Sequence, residues 1–505
     1  MTLRRDLTDL RSTPDVWRRK AHAVLPVLAA GALVMGLPTK PAFAAQVSGY
    51  ELKMPASAKA GDLTAFQPCT FKGLPARGSD TAECATLVVP EEPSKRQGRL
   101  LALPVVKLPA LGEAGRDPIF WLTGGPGQSN LNYSVNVRGP LETHDVYMLG
   151  YRGADGQEPQ QCPELLTAVV TPHPLSPEAG ALIADAARLC AQRITASGVD
   201  LRQYSMVNVI GDYESLRIAL GVRQVNLIGR SYGTRLAQYY TRLHPHSVRR
   251  SIQFGINPPG GFRWYPALTN GVLGEYAQLC AADPACSRRT PDLYKALLTT
   301  LARDDVSQGG SAVDMDKVRL GAMFLLGSKS GAVNLFDAVL AAEKGDNSGL
   351  ARVSSLYEFA APGGFIWGDL LSKGRGEPPT PTAQAFKAER RTTPTSFGSP
   401  LDLLIGAAAS GWPAQSLPAG FDKAALDKTP TLLVSGNLDT NAPLKRSQTE
   451  LLPYLPNGHL VILKNQAHED WAKEQLPALD RLITGFLRDG IVDASGYVTS
   501  PVPFH

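Results

Sequence analysis

Serine, aspartate and histidine placed in that order along this 505-residue chain could together carry out nucleophilic chemistry. Ser231 sits in Gly229-Arg230-Ser231-Tyr232-Gly233, between an apolar run at 225–228 and a helix-like stretch running from Tyr232 to about Leu243. G-x-S-x-G alone is a modest signal. Between a strand and a helix it describes a turn so sharp that flanking side chains would collide, and the serine hydroxyl is lifted clear of the backbone. That hydroxyl is a weak nucleophile without a base. Asp439 lies just past the apolar run 431–436, where the carboxyl end of a strand would present an acid, and His468 lies in the loop after the next run, 459–465. Of the histidines after Asp439, His459 begins a strand-like run and His505 is the last residue, which leaves His468 as general base. Glu469 and Asp470 stand too close to His468 to replace an acid from another strand. The competing readings are a plain Gly-Ser-Gly turn and an aspartate of the kind common after strands.

Acyl transfer also needs N–H donors for the tetrahedral oxyanion. The Tyr232 amide, directly after the nucleophile, is one; the loop Gly124-Gly125-Pro126-Gly127, after the apolar run 118–122, supplies the other, with Gly125 the favoured donor. The rival reading of that loop is a phosphate cradle, but it lacks the lysine of a P-loop and the downstream pattern of a dinucleotide site. No metal or organic cofactor is implied.

These residues need a scaffold that brings strand ends together. Residues 45–116 look rich in β-structure, and from 118 to 255 strand-like runs alternate with helical patterns, which implies a mostly parallel sheet covered on both faces. From 263 to 400 the pattern turns helical and interrupted by Gly and Pro, with a surface loop at 374–384; strand-like runs resume at 431–436 and 459–465, and a terminal helix follows. The division is therefore a leader at 1–44, a first core part at 45–262, a helical lid insertion at 263–400 and a second core part at 401–505.

The leader carries Arg18-Arg19-Lys20, an uncharged stretch and Ala42-Phe43-Ala44, the pattern of a secretory signal peptide. Pro26 interrupts the run and weakens the rival reading of a membrane anchor, so no stable membrane association is expected after cleavage. Arg4-Arg5 and Arg18-Arg19 each hint at a twin-arginine signal without its full context. The leader holds seven Lys/Arg against three Asp/Glu, so the formal +5 of the whole chain falls to +1 without it, and no basic stripe argues for nucleic acid. The composition, 43% hydrophobic and 19% charged, is that of a globular protein with a large core. Six cysteines behind a signal peptide favour disulfides, and sequential couples, Cys69–Cys84, Cys162–Cys190 and Cys280–Cys286, are the simplest of the 15 pairings. The chain is thus expected to be exported, periplasmic or secreted.

"LTGGPGQSN", "GRSYGTRLAQYYTRLHP", "GNLDTNAP" and "NQAH", in this order, resemble the exported serine peptidases of the α/β-hydrolase fold, the tripeptidyl aminopeptidase and prolyl aminopeptidase group. The resemblance runs from about 69 to 490 and includes "ECATLVVP", "CAADPAC" and "GWP" at 411–413. It implies the α/β-hydrolase fold, the Ser231–Asp439–His468 triad and release of short peptides or single residues from peptide N-termini. The chain departs from the group's pattern at Thr123, where histidine is usual before the glycine loop; at Gly150, where aspartate is expected; at Ala467 and Glu469, where glycines commonly flank the histidine; and in lacking a cysteine just before the Trp412-Pro413 pair. An aminopeptidase of this kind should hold the substrate ammonium with lid carboxylates, for which Glu275, Asp337, Glu343, Asp346 and Glu358 are candidates. The alternatives are an esterase or lipase of the same fold acting on a small ester and, ranked lower, a hydrolase-fold binding module without chemistry.

Overall fold

The computed structural model describes residues 47–72, 81–112, 116–133, 138–260, 263–374, 398–413 and 417–505. The leader, with its cleavage pattern, and the expected loop at 374–384, apart from Gly374, lie outside the described residues. The strands are β1 (Val47–Ser48), β2 (Gln67–Phe71), β3 (Thr81–Pro90), β4 (Leu100–Leu108), β5 (Ile119–Leu122), β6 (Val146–Leu149), β7 (Val225–Arg230), β8 (Val248–Phe254), the small hairpin β9 (Ser307–Gln308) and β10 (Ser311–Ala312), β11 (Thr431–Gly436) and β12 (Gly458–Leu463). Apart from the hairpin they form one ten-stranded sheet in the order β1-β2-β3-β4-β6-β5-β7-β8-β11-β12. The pairings from β1 through β4 to β6 are antiparallel. From β6 onward they are parallel, so the carboxyl ends of β5, β7, β8, β11 and β12 share one edge. This is the α/β-hydrolase fold.

β5 and β6 read IFWL and VYML, and all eight residues are buried. Alternate side chains go to opposite faces. Ile119, Trp121, Val146 and Met148 pack with Leu479, Leu482 and Phe486 of the helix Leu476–Asp489. Phe120, Leu122, Tyr147 and Leu149 pack with Ile210 and Tyr213 of the helix Met206–Ala219 and with Leu236 and Tyr240 of the helix Tyr232–Leu243. Each large side chain buried this way contributes about 1.5–3 kcal/mol. No helix among the described residues is long and apolar enough to cross a membrane.

Between β8 and β11 the principal elements are the helices Pro266–Ala282, Leu293–Leu301, Met315–Leu325, Lys329–Ala342, Ser348–Ala360, Trp367–Gly374 and Pro400–Ser410. They form a roof with a hydrophobic cluster of its own, which also takes in Leu165, Ile183, Ala187 and Ala191. The helices Pro163–Ala168 and Pro177–Ala196, which the linear division counts with the first core part, thus pack into the roof. The cause is the apolar stripe Ile183, Ala187, Cys190, Ala191 and Ile194 on the longer helix, which lies against the helix Pro400–Ser410 and not against the sheet. Disulfides join Cys69 to Cys84, Cys162 to Cys190 and Cys280 to Cys286, with Cα separations of 5.8, 5.4 and 5.1 Å. The first links β2 to β3, the second ties Cys162, at the start of the helix Pro163–Ala168, to Cys190 within the helix Pro177–Ala196, and the third closes the end of the helix Pro266–Ala282.

Candidate active site

Ser231 stands between the last residue of β7 and the first of the helix Tyr232–Leu243, with φ 53° and ψ −123°. A non-glycine residue held there is strained, and the surroundings must over-determine it. They do so on both sides. The Ser231 N–H donates to Phe254 O on β8 at 2.8 Å. A Cβ at Gly229 would come within 2.7 Å of Gly233 O, and one at Gly233 within 2.0 Å of Leu122 O, so only glycine fits at the two flanking positions. The Tyr232 amide opens the helix, where N–H groups have no partner in the preceding turn.

Asp439 follows β11 and His468 follows β12, and both side chains are buried. His468 Nδ1 lies 2.7 Å from Asp439 Oδ2, while Asp439 Oδ1 accepts from the N–H groups of Asn441 at 2.9 Å and Ala442 at 2.7 Å. The carboxylate therefore keeps one oxygen for the ring and fixes its orientation with the other. Burial pulls the imidazole pKa down, but the charge and hydrogen bond of Asp439, with the charge of Glu469, outweigh it and leave His468 raised above the ordinary histidine value. Among the described residues the Ser231 hydroxyl makes no hydrogen bond to His468.

The sequence did not flag three supports of this arrangement. Gly255, at the end of β8, has φ 57°, and a Cβ there would fall 2.8 Å from His468 Cε1 and 3.4 Å from Asp439 Oδ2. Its only sequence signal is a glycine closing a strand. Arg230 and Glu469, neighbours of Ser231 and His468, form an ion pair that ties the Ser231 turn to the histidine loop. The Arg230 guanidinium also lies 5.8 Å from the Trp471 ring, which stacks on Phe254 at 4.2 Å. Burial pushes the Glu469 carboxyl up, but the charges of Arg230 and His468 hold it below the ordinary value. Third, the roof docks on both loops: Glu469 N–H donates to Gly327 O at 2.9 Å, and Thr440 Oγ1 to Leu326 O at 3.5 Å.

The glycine loop after β5 approaches the same point. A Cβ at Gly124 would lie 3.0 Å from Ser231 Cβ and 3.6 Å from its Oγ, so this backbone abuts the serine side chain. Gly125, favoured as donor, is the next residue and has φ 122°. At Gly150, where the resemblance leads one to expect aspartate, there is no room: a Cβ would sit 2.6 Å from Asp155 Cβ. Asp155 Cβ and the Pro104 ring fill that space, and the Asp155 carboxylate accepts from the N–H groups of Asn130 and Tyr151, each at 2.9 Å; burial pushes it up to about 6.

Of the candidate roof acids, Glu358 pairs with Lys317, and Asp337 with Arg289 and His505. Glu343 and Asp346 are exposed. Glu275 accepts from Asn437 Nδ2 at 2.5 Å, two residues before Asp439. Two groups of ligand-type atoms are clustered among the described residues. One contains Cys162 and Cys190, which are bonded to each other. The other, His173, Asp314 and Asp316, has its carboxylates engaged already, Asp314 capping the helix Met315–Leu325 and Asp316 pairing with Arg319.

Comparison with known proteins agrees with this fold. Residues 117–277, which contain Ser231, match the family model described as alpha/beta hydrolase fold, and residues 404–499, which contain Asp439 and His468, match that described as TAP-like protein. The chain is 27% identical to the tripeptidyl aminopeptidase of Streptomyces lividans over 37% of each chain. It is 25% identical to the serine protease Hip1 of Mycobacterium tuberculosis over 52% of this chain and 54% of that one. The chain thus spans between about a third and about half of the length of these curated relatives.

Proposed function

We propose that this chain, which has the α/β-hydrolase fold and a TAP-like second segment, is an exported serine aminopeptidase that releases short peptides or single residues from peptide N-termini. The observation that carries the reading is the buried Asp439–His468 pair at 2.7 Å, tied through Glu469 and Arg230 to the strained turn of Ser231. In the proposed reaction His468 takes the proton of Ser231 as its hydroxyl attacks the carbonyl. Asp439 stabilises the imidazolium that forms. The amides of Tyr232 and Gly125 receive the oxyanion. His468 then protonates the leaving amine, and water resolves the acyl-enzyme by the same steps. The Ser231–His468 hydrogen bond belongs to the substrate complex, where such bonds commonly tighten. Two relatives carry the peptidase names tripeptidyl aminopeptidase and serine protease, which favours peptides over esters. Three disulfides support an oxidising compartment.

The test is a matched pair of peptides with the α-amine free or acetylated. Acetylation is expected to lower kcat/KM at least about tenfold, roughly 1.4 kcal/mol of lost charge pairing. Equal cleavage of both peptides would overturn the free-amine requirement and with it the aminopeptidase, and turnover of p-nitrophenyl esters alone would replace it by an esterase.

A further inference from the structure

We propose that Asp369 and Lys373, on the roof helix Trp367–Gly374, are positioning residues for the glycine loop, holding Gly127 and through it the oxyanion-binding turn beside Ser231. The proposal rests on the serine-hydrolase reading above and adds a part of the roof to its working site.

Gly127 is clasped through both of its backbone groups. Its N–H donates to Asp369 Oδ2 at 3.1 Å, and its carbonyl accepts from Ile366 N–H at 2.7 Å. A Cβ on Gly127 would stand 2.9 Å from Leu370 Cβ, so the roof lies directly on the loop. Asp369 and Lys373 have fully buried side chains and pair with each other one helical turn apart. Lys373 Nζ also donates to Arg152 O at 3.0 Å and lies 5.1 Å from the centre of the Tyr151 ring. Tyr151 in turn donates its hydroxyl to Thr123 O at 3.2 Å, and Thr123 N–H is held by Asn130 Oδ1 at 2.7 Å. The loop is therefore gripped at Thr123 and at Gly127, and between them Gly124 abuts Ser231.

A buried ion pair is a weak source of stability, because apolar side chains of the same volume commonly serve as well. What they cannot supply is a charged acceptor for the buried Gly127 N–H, and charge-assisted bonds are the stronger and better directed ones. Lys373 makes that carboxylate tolerable inside the protein. The pair thus serves the geometry of the donors, where small displacements are costly to the transition state.

The experiment compares the full-length wild type with the double variant D369L/K373M, which exchanges the pair for apolar side chains. Melting temperature is expected within about 3 °C of wild type, since both charges leave together. The kcat and the second-order rate of labelling by a fluorophosphonate are each expected to fall at least about tenfold, with KM changed less than about threefold. Recovery of wild-type kcat and labelling together with wild-type melting would overturn the proposal and leave the pair a packing feature. Should the double variant not fold, D369N is measured where its circular dichroism matches wild type, and unchanged kcat and labelling there would overturn it equally. Labelling of Ser231→Ala separates the two levels: if it persists, the serine reading fails, whatever Asp369 does.

Discussion

Among the described residues Ser231 is the one hydroxyl held in a strained strand-to-helix turn beside a buried His–Asp pair, and its removal should separate chemistry from folding. Ser231→Ala is expected to keep its melting temperature and lose at least about a thousandfold in turnover, with fluorophosphonate labelling seen in the wild type only. In the proposed reaction His468 sets the pH dependence. It must be neutral to accept the serine proton, and Asp439 and Glu469 both favour its charged form. The acid limb of kcat/KM should therefore lie above the pH expected of an ordinary histidine, with activity rising as pH climbs through that limb. Glu469→Gln removes one negative charge and leaves Arg230 uncompensated, and both changes lower the His468 pKa. The limb should move to lower pH in that variant; an unmoved or raised limb in the measured profile would show that Glu469 does not act on the base.

At the scale of elements, the strand ends do the positioning. Gly255 leaves β8 at φ 57° with no space for a side chain beside His468. Gly255→Ala is expected to cost about 1–3 kcal/mol in thermal unfolding and to displace the ring. An ångström of misplacement is worth up to about a hundredfold in rate. A fall in kcat well beyond the loss of stability checks this. The disulfides act on separate elements and should differ in weight. Their loops of 28 residues for Cys162–Cys190 and 6 for Cys280–Cys286 give about 3.6 and about 2.2 kcal/mol from chain entropy. Replacing each couple by alanines and comparing denaturation midpoints should place the first variant below the second. The strands and the places of Ser231, Asp439 and His468 at their ends were legible in the sequence because each residue follows an apolar run, and the glycine spacing around Ser231 admits few turns. Gly255 was not, being one glycine among 48 with no motif around it. Nor was Asp369, whose meaning depends on Gly127, distant in the chain and joined to it only by the fold.

In the whole molecule, the sheet presents the residues and the roof bears on their loops at Gly127, Thr440 and Glu469. The sequence divided the two by linear stretches, and so missed that the helices at 163–196 pack with the roof; long-range packing leaves little periodic trace in the segment it recruits. The same topology bears on how the protein comes to exist. β8 pairs with β11 in register, Ser251 opposite Thr431 and Phe254 opposite Val434, yet residues 255–430 lie between them. A chain synthesised from its amino end therefore carries β8 as an open edge until the entire roof has emerged. Asp439 and His468 arrive only after that, with β11 and β12. Unpaired edges and late long-range closures make folding slow and intermediates adhesive. A chain stopped at residue 430 should accordingly be lost to aggregation or proteolysis, and a folding helper that covers the β8 edge should raise the yield of the full-length protein more than one that acts on the roof helices.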